Sequence, residues 1–481
     1  MFTSSIAIIG AGFSGTLLAL NLLHQCPGSV RIRLIERASQ FGPGLAYGID
    51  DPDLLLNVPA GRMSAFPDRP THFLDWLCAQ PESETGVVAP DAGTFAPRAV
   101  YGRYLRHLVS AARNGEQAGR FELITGEVLS VTEEAHGLRL RLDQDRVLEA
   151  SVAVVATGNN PLAPIPTLTA EVEQGGFYRH DPWAADALTG LKADEPVLLI
   201  GTGLTTVDCV LRLLRQGHTG PIHLLSRRGL LPCAHGGGAA VPVAATQDMP
   251  RRLRALVRFM RAESARVMAA GGTWRAVIDA IRPITQELWQ GWSSTERRMF
   301  LTHVRPWWDI HRHRMAPAIA NRIEDTKASG QTRVHAGRVV GITADAAMAE
   351  VTWQPRGTEN RSTLRVARVI NCTGPASDIT RSADPLCQSL LHLRQARPDP
   401  MRLGLDVTAG GALIGADGRV SVRLFGVGPI CRGALWEITA VPDIRQQCVA
   451  LGLRIAEMLD EAEPVLAVPP MRHAMADALT A

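Results

Sequence analysis

The chain is 481 residues long, 46% hydrophobic and 20% charged, a composition that suits a globular protein with more than one core and excludes a disordered or fibrous one. Fifty Lys and Arg against 47 Asp and Glu leave a net charge of +3, too little for a general nucleic-acid binder, so any basic character must be local. The longest apolar stretch, around residues 197–214, is broken by glycines and Asp208, and residues 1–5 lack the basic-then-apolar pattern of a secretory signal; the expectation is a cytoplasmic protein with no membrane and no nucleic-acid partner.

Residues 6–9 are four apolar residues in a row, the pattern of a buried parallel strand, and Gly10, Gly12 and Gly15 follow at G-x-G-x-x-G spacing. Phe13, Leu17, Leu18 and Leu22 recur at helical intervals until Pro27-Gly28. Residues 31–35 form a second strand that Glu36 closes. This is a complete βαβ dinucleotide fingerprint: Gly10 permits the tight turn, Gly12 lets backbone approach a pyrophosphate at the helix N-terminus, Gly15 lets helix and strand pack closely, and Glu36 accepts ribose hydroxyls. A turn-rich loop at 41–48 and an irregular stretch at 54–67 come next, long enough beside a cofactor fold to suggest a binding role. A helix is predicted from 95–104 to about residue 113, then strands at 121–131 and 138–142 in a small antiparallel layer, then a buried strand at 151–155 ending in Ala156-Thr157-Gly158.

The opening pattern repeats at 197–208: a strand, Gly201-Thr202-Gly203, Leu204, Thr205, and a helix over 207–216, with Thr206 at the third glycine position. The strand after it, 222–225, ends in Ser226-Arg227-Arg228. An NAD site would place a carboxylate there, whereas arginine grips a phosphate bidentately, so this end either recognises the 2′-phosphate of NADPH or caps a solvated strand. Residues 236–333 have a different texture, with amphipathic helices at 251–268, 274–292 and 294–303 between glycine hinges, and an Arg- and Trp-rich run through His303, Arg305, Trp308, His311 and Arg312. Those five are candidate substrate residues for an anionic or carboxylate-bearing small molecule; the alternative is tryptophans packing the segment while the charges face water. His311 and His313 would diverge on a helix, so no metal is expected. The eight cysteines show no C-x-x-C pair and are expected to be free thiols.

Ala156-Thr157-Gly158 resembles the turn that ends the crossover strand of two-dinucleotide-domain flavoproteins, and residues 366–370 with Asn371-Cys372-Thr373-Gly374 resemble the second crossover. With Gly44-Leu45-Ala46-Tyr47-Gly48, residues 56–64, 226–231 and 436–445, nearly the whole chain resembles a bacterial FAD/NAD(P)-binding protein family similar to class B flavin-dependent monooxygenases, some relatives of which N-hydroxylate amino acids such as aspartate. The resemblance implies an α/β fold of two Rossmann-like dinucleotide-binding domains with a helical insertion. The expected limits are 1–185 and 366–481 for FAD, 190–235 and 334–365 for NAD(P), and 236–333 for an insertion serving as a substrate lid. Fingerprint and resemblance together nominate Gly10, Gly12, Phe13, Ser14, Gly15, Glu36, Arg37, Asn57, Arg62, Met63, Val128, Thr157, Gly158, Gly428, Glu437 and Ile438 for FAD. They nominate Gly201, Gly203, Leu204, Thr205, Ser226, Arg227 and Arg228 for NADPH.

The family usually follows its last FAD strand with Gly-Asp; here Gly428 precedes Pro429. Gly176-x-x-x-His180 with Trp183 matches part of the class B motif that couples the two domains, although Gln174 stands where a Phe leads it; a structural linker histidine is the other reading. The chemistry implied is reduction of FAD by NADPH and transfer of one oxygen atom of O2 to a nucleophilic nitrogen or other soft centre, with no dedicated acid or base nominated. An NAD(P)H-dependent quinone-type reductase and a non-catalytic flavin-binding redox sensor remain the alternatives.

Overall fold

The computed structural model describes residues 4–165, 168–345, 347–376 and 378–462; the outer limits expected for the FAD domain, residues 1–3 and 463–481, lie outside them. Val- and Ile-rich segments without alternation form the interior strands, because a parallel strand is covered on both faces. Six of them make a first sheet in the order Ala412–Ile414, Val420–Gly426, Val152–Val155, Ser4–Ile9, Val30–Glu36, Phe121–Thr125. It is parallel except for its edge strand Ala412–Ile414. Helix Phe13–Gln25 packs on this sheet and against the long last helix, Val441–Ala462.

A second sheet of seven strands runs Ser362–Val366, Ala349–Pro355, Thr332–Ala344, Ile222–Ser226, Val197–Ile200, Arg368–Asn371, Tyr178–Arg179. Two expectations need correcting here. Tyr178–Arg179 and Arg368–Asn371 hydrogen-bond within this second sheet, so the first fold's share of the chain ends before 185 and resumes after 371, later than the expected 366. Phe121–Thr125 extends the parallel first sheet; the antiparallel layer is Val128–Glu134, Gly137–Leu142 and Val147–Ala150.

The insertion is helical, with breaks where sequence and packing demand them. The predicted helix over 274–292 splits into Trp274–Ile281 and Thr285–Gly291 around the 3-10 turn Arg282–Ile284, which holds Pro283. Helix Ser294–Met299 opens with a Ser293/Glu296 capping box and runs into a π turn, Phe300–Val304, before Arg305–Arg312. Trp289, Trp292 and Phe300 bury against Leu403 and Trp436 of the first fold, so the insertion is seated on that fold. Elsewhere the two folds are tied by ion pairs. Arg98 grips Asp208 with both arms, at 2.7 and 3.1 Å, while Arg215–Asp51 and Arg322–Asp53 lie at 2.8 and 3.0 Å. Among the described residues no helix is long and apolar enough to cross a membrane, and no group of three metal-ligating side chains forms.

Candidate functional site

The first phosphate turn is built by close backbone approach. Gly10 has φ +105°, and a Cβ there would lie 2.5 Å from the Ala156 carbonyl oxygen, so the crossover strand leaves room for glycine alone. Gly12 caps helix Phe13–Gln25 and faces Gly44, which has φ +54°; the Gly42 N–H donates to the Ala11 carbonyl at 2.8 Å, folding the 41–48 loop over the turn. Glu36 is preset at the strand end, its carboxylate accepting from the Ala11 N–H at 2.8 Å and the Ala38 N–H at 3.2 Å. Phe13, Ser14 and Gly15 are buried behind the turn, Val128 is buried beneath the sheet edge, and Thr157 with Gly158 (φ +77°) ends the crossover strand. Arg37 is exposed, 3.6 Å from Glu127.

Gly428, with φ +75°, closes against the Ser14 side chain, and its N–H donates to Gln447 Oε1 at 2.8 Å. The Gln447 Nε2 is buried without an acceptor among the described residues. A glycine cradle and an orphaned amide donor fit a phosphate- and hydroxyl-bearing cofactor. Replacing Gly10 with Ala is therefore expected to yield protein lacking bound flavin, read as loss of the 450 nm band relative to 280 nm; retention of full flavin content would refute the role of this turn.

The loop at 57–64 bridges the folds. The Asn57 carbonyl accepts from His235 at 2.9 Å, the buried Met63 carbonyl from the Tyr101 hydroxyl at 2.9 Å, and the Ser64 carbonyl from Arg445 of the last helix at 3.0 Å. Arg62 is exposed on the turn Ala60–Arg62.

In the second turn Gly201 has φ +135° and presses on the Cys372 carbonyl, the counterpart of the Gly10–Ala156 contact. Gly203 caps helix Leu204–Arg215 without a side-chain bond, so the first-turn N–H groups of Leu204 and Thr205 have no intrahelical acceptor. Ser226 Oγ bonds Thr202 Oγ1 at 2.9 Å and accepts from the Gly229 N–H at 3.0 Å, so it shapes the strand end. Arg227 is exposed with no ion pair among the described residues, while Arg228 donates to the Thr302 carbonyl in the π turn at 3.2 Å. His180 is exposed and lies 3.1 Å from the Tyr178 hydroxyl.

The insertion and the last helix meet at Glu437. This residue is 7% exposed and has φ +69°, a left-handed conformation that costs a non-glycine residue energy and marks a constrained position. Trp308 Nε1–H donates to its Oε1 at 2.8 Å, Arg312 Nε lies 2.8 Å from Oε2, and His313 Nε2 lies 3.7 Å from Oε1. Burial alone would raise this carboxyl; His313, Arg312 and the Trp308 bond reverse that and hold it below its usual value. Burial pushes the His313 imidazole down, favouring its neutral form. Of the expected substrate residues, Trp308 and Arg312 therefore converge on one carboxylate, while Arg305 pairs with Asp309 at 3.2 Å. His303 is exposed on the π turn, and His311 turns to the Trp307 carbonyl at 2.7 Å and to the Trp274 ring. Glu437, expected beside the flavin, has both of its oxygens engaged by residues of the insertion. Ile438 beside it is buried in the first fold's core.

Sequence reasoning missed Gln447, His313 and Arg432. A signal existed for Arg432, since it and Glu437 are the only charges in residues 426–438. All eight cysteines are unpaired, yet the Cys209 and Cys372 thiols lie 3.6 Å apart, buried behind the second turn.

Residues 7–160 match the family model described as FAD-NAD(P)-binding. No curated protein sequence matches the chain. Among solved structures, the ornithine N-hydroxylase of Kutzneria sp. 744, with reduced FAD, NADP+ and L-ornithine, is 14% identical over 96% of this chain and 100% of that one, at a TM-score of 0.64. The ornithine hydroxylase of Pseudomonas aeruginosa is 16% identical over 95% and 100%, at 0.62. The FAD-bound cadaverine monooxygenase of desferrioxamine biosynthesis from Erwinia amylovora is 12% identical over 100% of both chains, at 0.62.

Proposed function

We propose that this chain, which has the fold of the N-hydroxylating flavin monooxygenases, is itself an FAD-dependent, NADPH-using monooxygenase that oxidises the nitrogen of a small carboxylate-bearing substrate. The first sheet would hold FAD, the second NADPH, and the insertion would be the lid. When bound, FAD supplies the hydride acceptor and the activation of O2. The chain's own residues do the rest. The Gly10–Gly15 turn and Gln447 hold the cofactor's phosphate and hydroxyl groups, Arg227 and Arg228 hold the 2′-phosphate of NADPH, and Glu437 fixes the insertion over the end of the first sheet.

The observation that carries this reading is the seating of the insertion: an aromatic wall of Trp289, Phe300 and Trp436 with a buried Glu437–Arg312 pair. Such a cover excludes water, which oxygen transfer requires and simple hydride relay does not. A dithiol reductase is disfavoured because the hydrogen bond with Cys209, and then burial, push the Cys372 thiol well up, away from the reactive thiolate.

The test is turnover of NADPH-reduced protein with O2 across a panel of primary amines and amino acids. At least one is expected to give about one hydroxylamine per NADPH. Quantitative hydrogen peroxide with every member of the panel, together with rapid reduction of a quinone, would replace this reading with the reductase alternative.

A further inference from the structure

The segment between the last strand of the first sheet and its last helix carries one more charge than the Glu437 cluster uses. Arg432 is half-buried, and its guanidinium lies 4.8 Å from the centre of the Trp436 ring. Arg305, from the insertion, lies 5.9 Å from the centre of the same ring. Among the described residues no carboxylate lies within ion-pair distance of Arg432, and Asp309 and Glu437 act on it only from farther away. Asp309 is taken by Arg305 at 3.2 Å, and Glu437 by Trp308 and Arg312 at 2.8 Å each. Arg432 makes no ion pair or side-chain hydrogen bond among the described residues. The Trp436 indole N–H, 2% exposed, is likewise a donor without an acceptor.

Two neighbouring guanidinium groups and a buried unpartnered N–H are unfavourable together unless an anion joins them. Burial, and then the adjacent Arg305, pull the Arg432 guanidinium down to about 10 against the weaker opposing pull of Asp309 and Glu437. The surroundings hold Arg432 in place: Gly433 closes against the buried Asp399 side chain with no room for a Cβ, and its carbonyl accepts from Trp289 Nε1–H at 2.8 Å.

We propose that Arg305, Arg432 and the Trp436 N–H form a carboxylate-binding subsite that anchors the acid end of the substrate at the seam between insertion and first fold. A carboxylate supplies two acceptor oxygens in the plane a guanidinium fork matches, and its charge replaces the one the cluster lacks. The proposal rests on the monooxygenase reading for what happens at the substrate's nitrogen, but the anchoring itself does not require turnover.

The test separates the two. Calorimetric titration of the FAD-loaded protein compares L-ornithine with putrescine, L-lysine with cadaverine, and L-2,4-diaminobutyrate with 1,3-diaminopropane, pairs differing only in the carboxylate, with succinate as an acid lacking an amine. At least one acid-bearing probe is expected to bind at least ~10-fold tighter than its partner, as for a charge-assisted pair. Arg432→Gln and Arg305→Gln should each erase that advantage, and Arg432→Lys should restore part of it. Because Arg432 makes no direct ion pair among the described residues, Arg432→Gln should melt no lower than the parent, which a structural arginine would not permit. Equal binding of acids and amines by the parent, survival of the advantage in Arg432→Gln, or a lower melting point with all probes lost alike would each overturn the subsite. Acid preference without any hydroxylated product would leave the subsite standing and remove the monooxygenase reading. Hydroxylation at an unchanged KM in Arg432→Gln would do the reverse.

Discussion

Replacing Arg227 and Arg228 together with alanine should weaken NADPH by about 100-fold while leaving NADH within about threefold, since two charge-assisted contacts to a phosphate are worth about 3 kcal/mol. The strand end supports this asymmetry. Ser226 is committed to Thr202 and Gly229, Arg227 projects into solvent with no ion pair among the described residues, and no carboxylate stands where an NAD site would place one. Arg228 adds a second effect, because its bond to the Thr302 carbonyl competes with the phosphate. The single change Arg227→Ala should therefore show the purer nucleotide effect, and Arg228→Ala should also loosen the π turn. Flavin reduction rates with each nucleotide measure both. Equal loss for NADPH and NADH would mean that the arginines merely cap the strand.

The second large effect is expected at Glu437. Glu437→Gln keeps the shape but removes the charge, leaving Arg312, 9% exposed, without its counter-ion. Breaking one partner of a buried pair costs about 3–5 kcal/mol, and a fall in melting temperature of ~5–10 °C should follow. The pH dependence has a definite sign. The folded protein holds this carboxyl below its ordinary value of 4.5, so the contribution is complete above that value and is lost as pH falls through the lower, folded one. Melting curves from pH 3 to 7 should therefore lose part of their acid-side slope in Glu437→Gln. Parallel curves for the two proteins would show that the carboxylate is not paired. Glu437→Gly makes a useful contrast, because glycine also relieves the strain of φ +69°.

The parts of this molecule legible in its sequence are those fixed by local chemistry. Both phosphate turns could be read because only glycine tolerates the φ of Gly10 and Gly201 and the carbonyls behind them. The strand that precedes each turn announces itself by an unbroken apolar run. What sequence hid depends on partners distant in the chain. Phe121–Thr125 alternates like an outer strand because it is the edge of the parallel sheet, with one side left to solvent. Cys209 and Cys372 carry no motif because helix and crossover strand bring them together across 163 residues. Gln447 could not be placed beside Gly428 while its helix had no fixed rotation. Pro283 did signal a break that helical periodicity across 274–292 overrode.

The nesting of the second fold inside the first also bears on how the chain is made. All seven strands of the second sheet, from Tyr178 to Asn371, are available once residue 371 has been synthesised. The first fold must wait for helix Val441–Ala462 to reach Phe13–Gln25 and for the Cys448 thiol to meet the Ser14 carbonyl. Emerging from the ribosome, the inner fold can close on local partners while the amino-terminal strands stay unsealed, with their apolar faces in need of protection. The contact that finishes the cradle at the first glycine turn, Gly428 on Ser14, spans most of the chain, so completing that cradle belongs to the last stage of maturation.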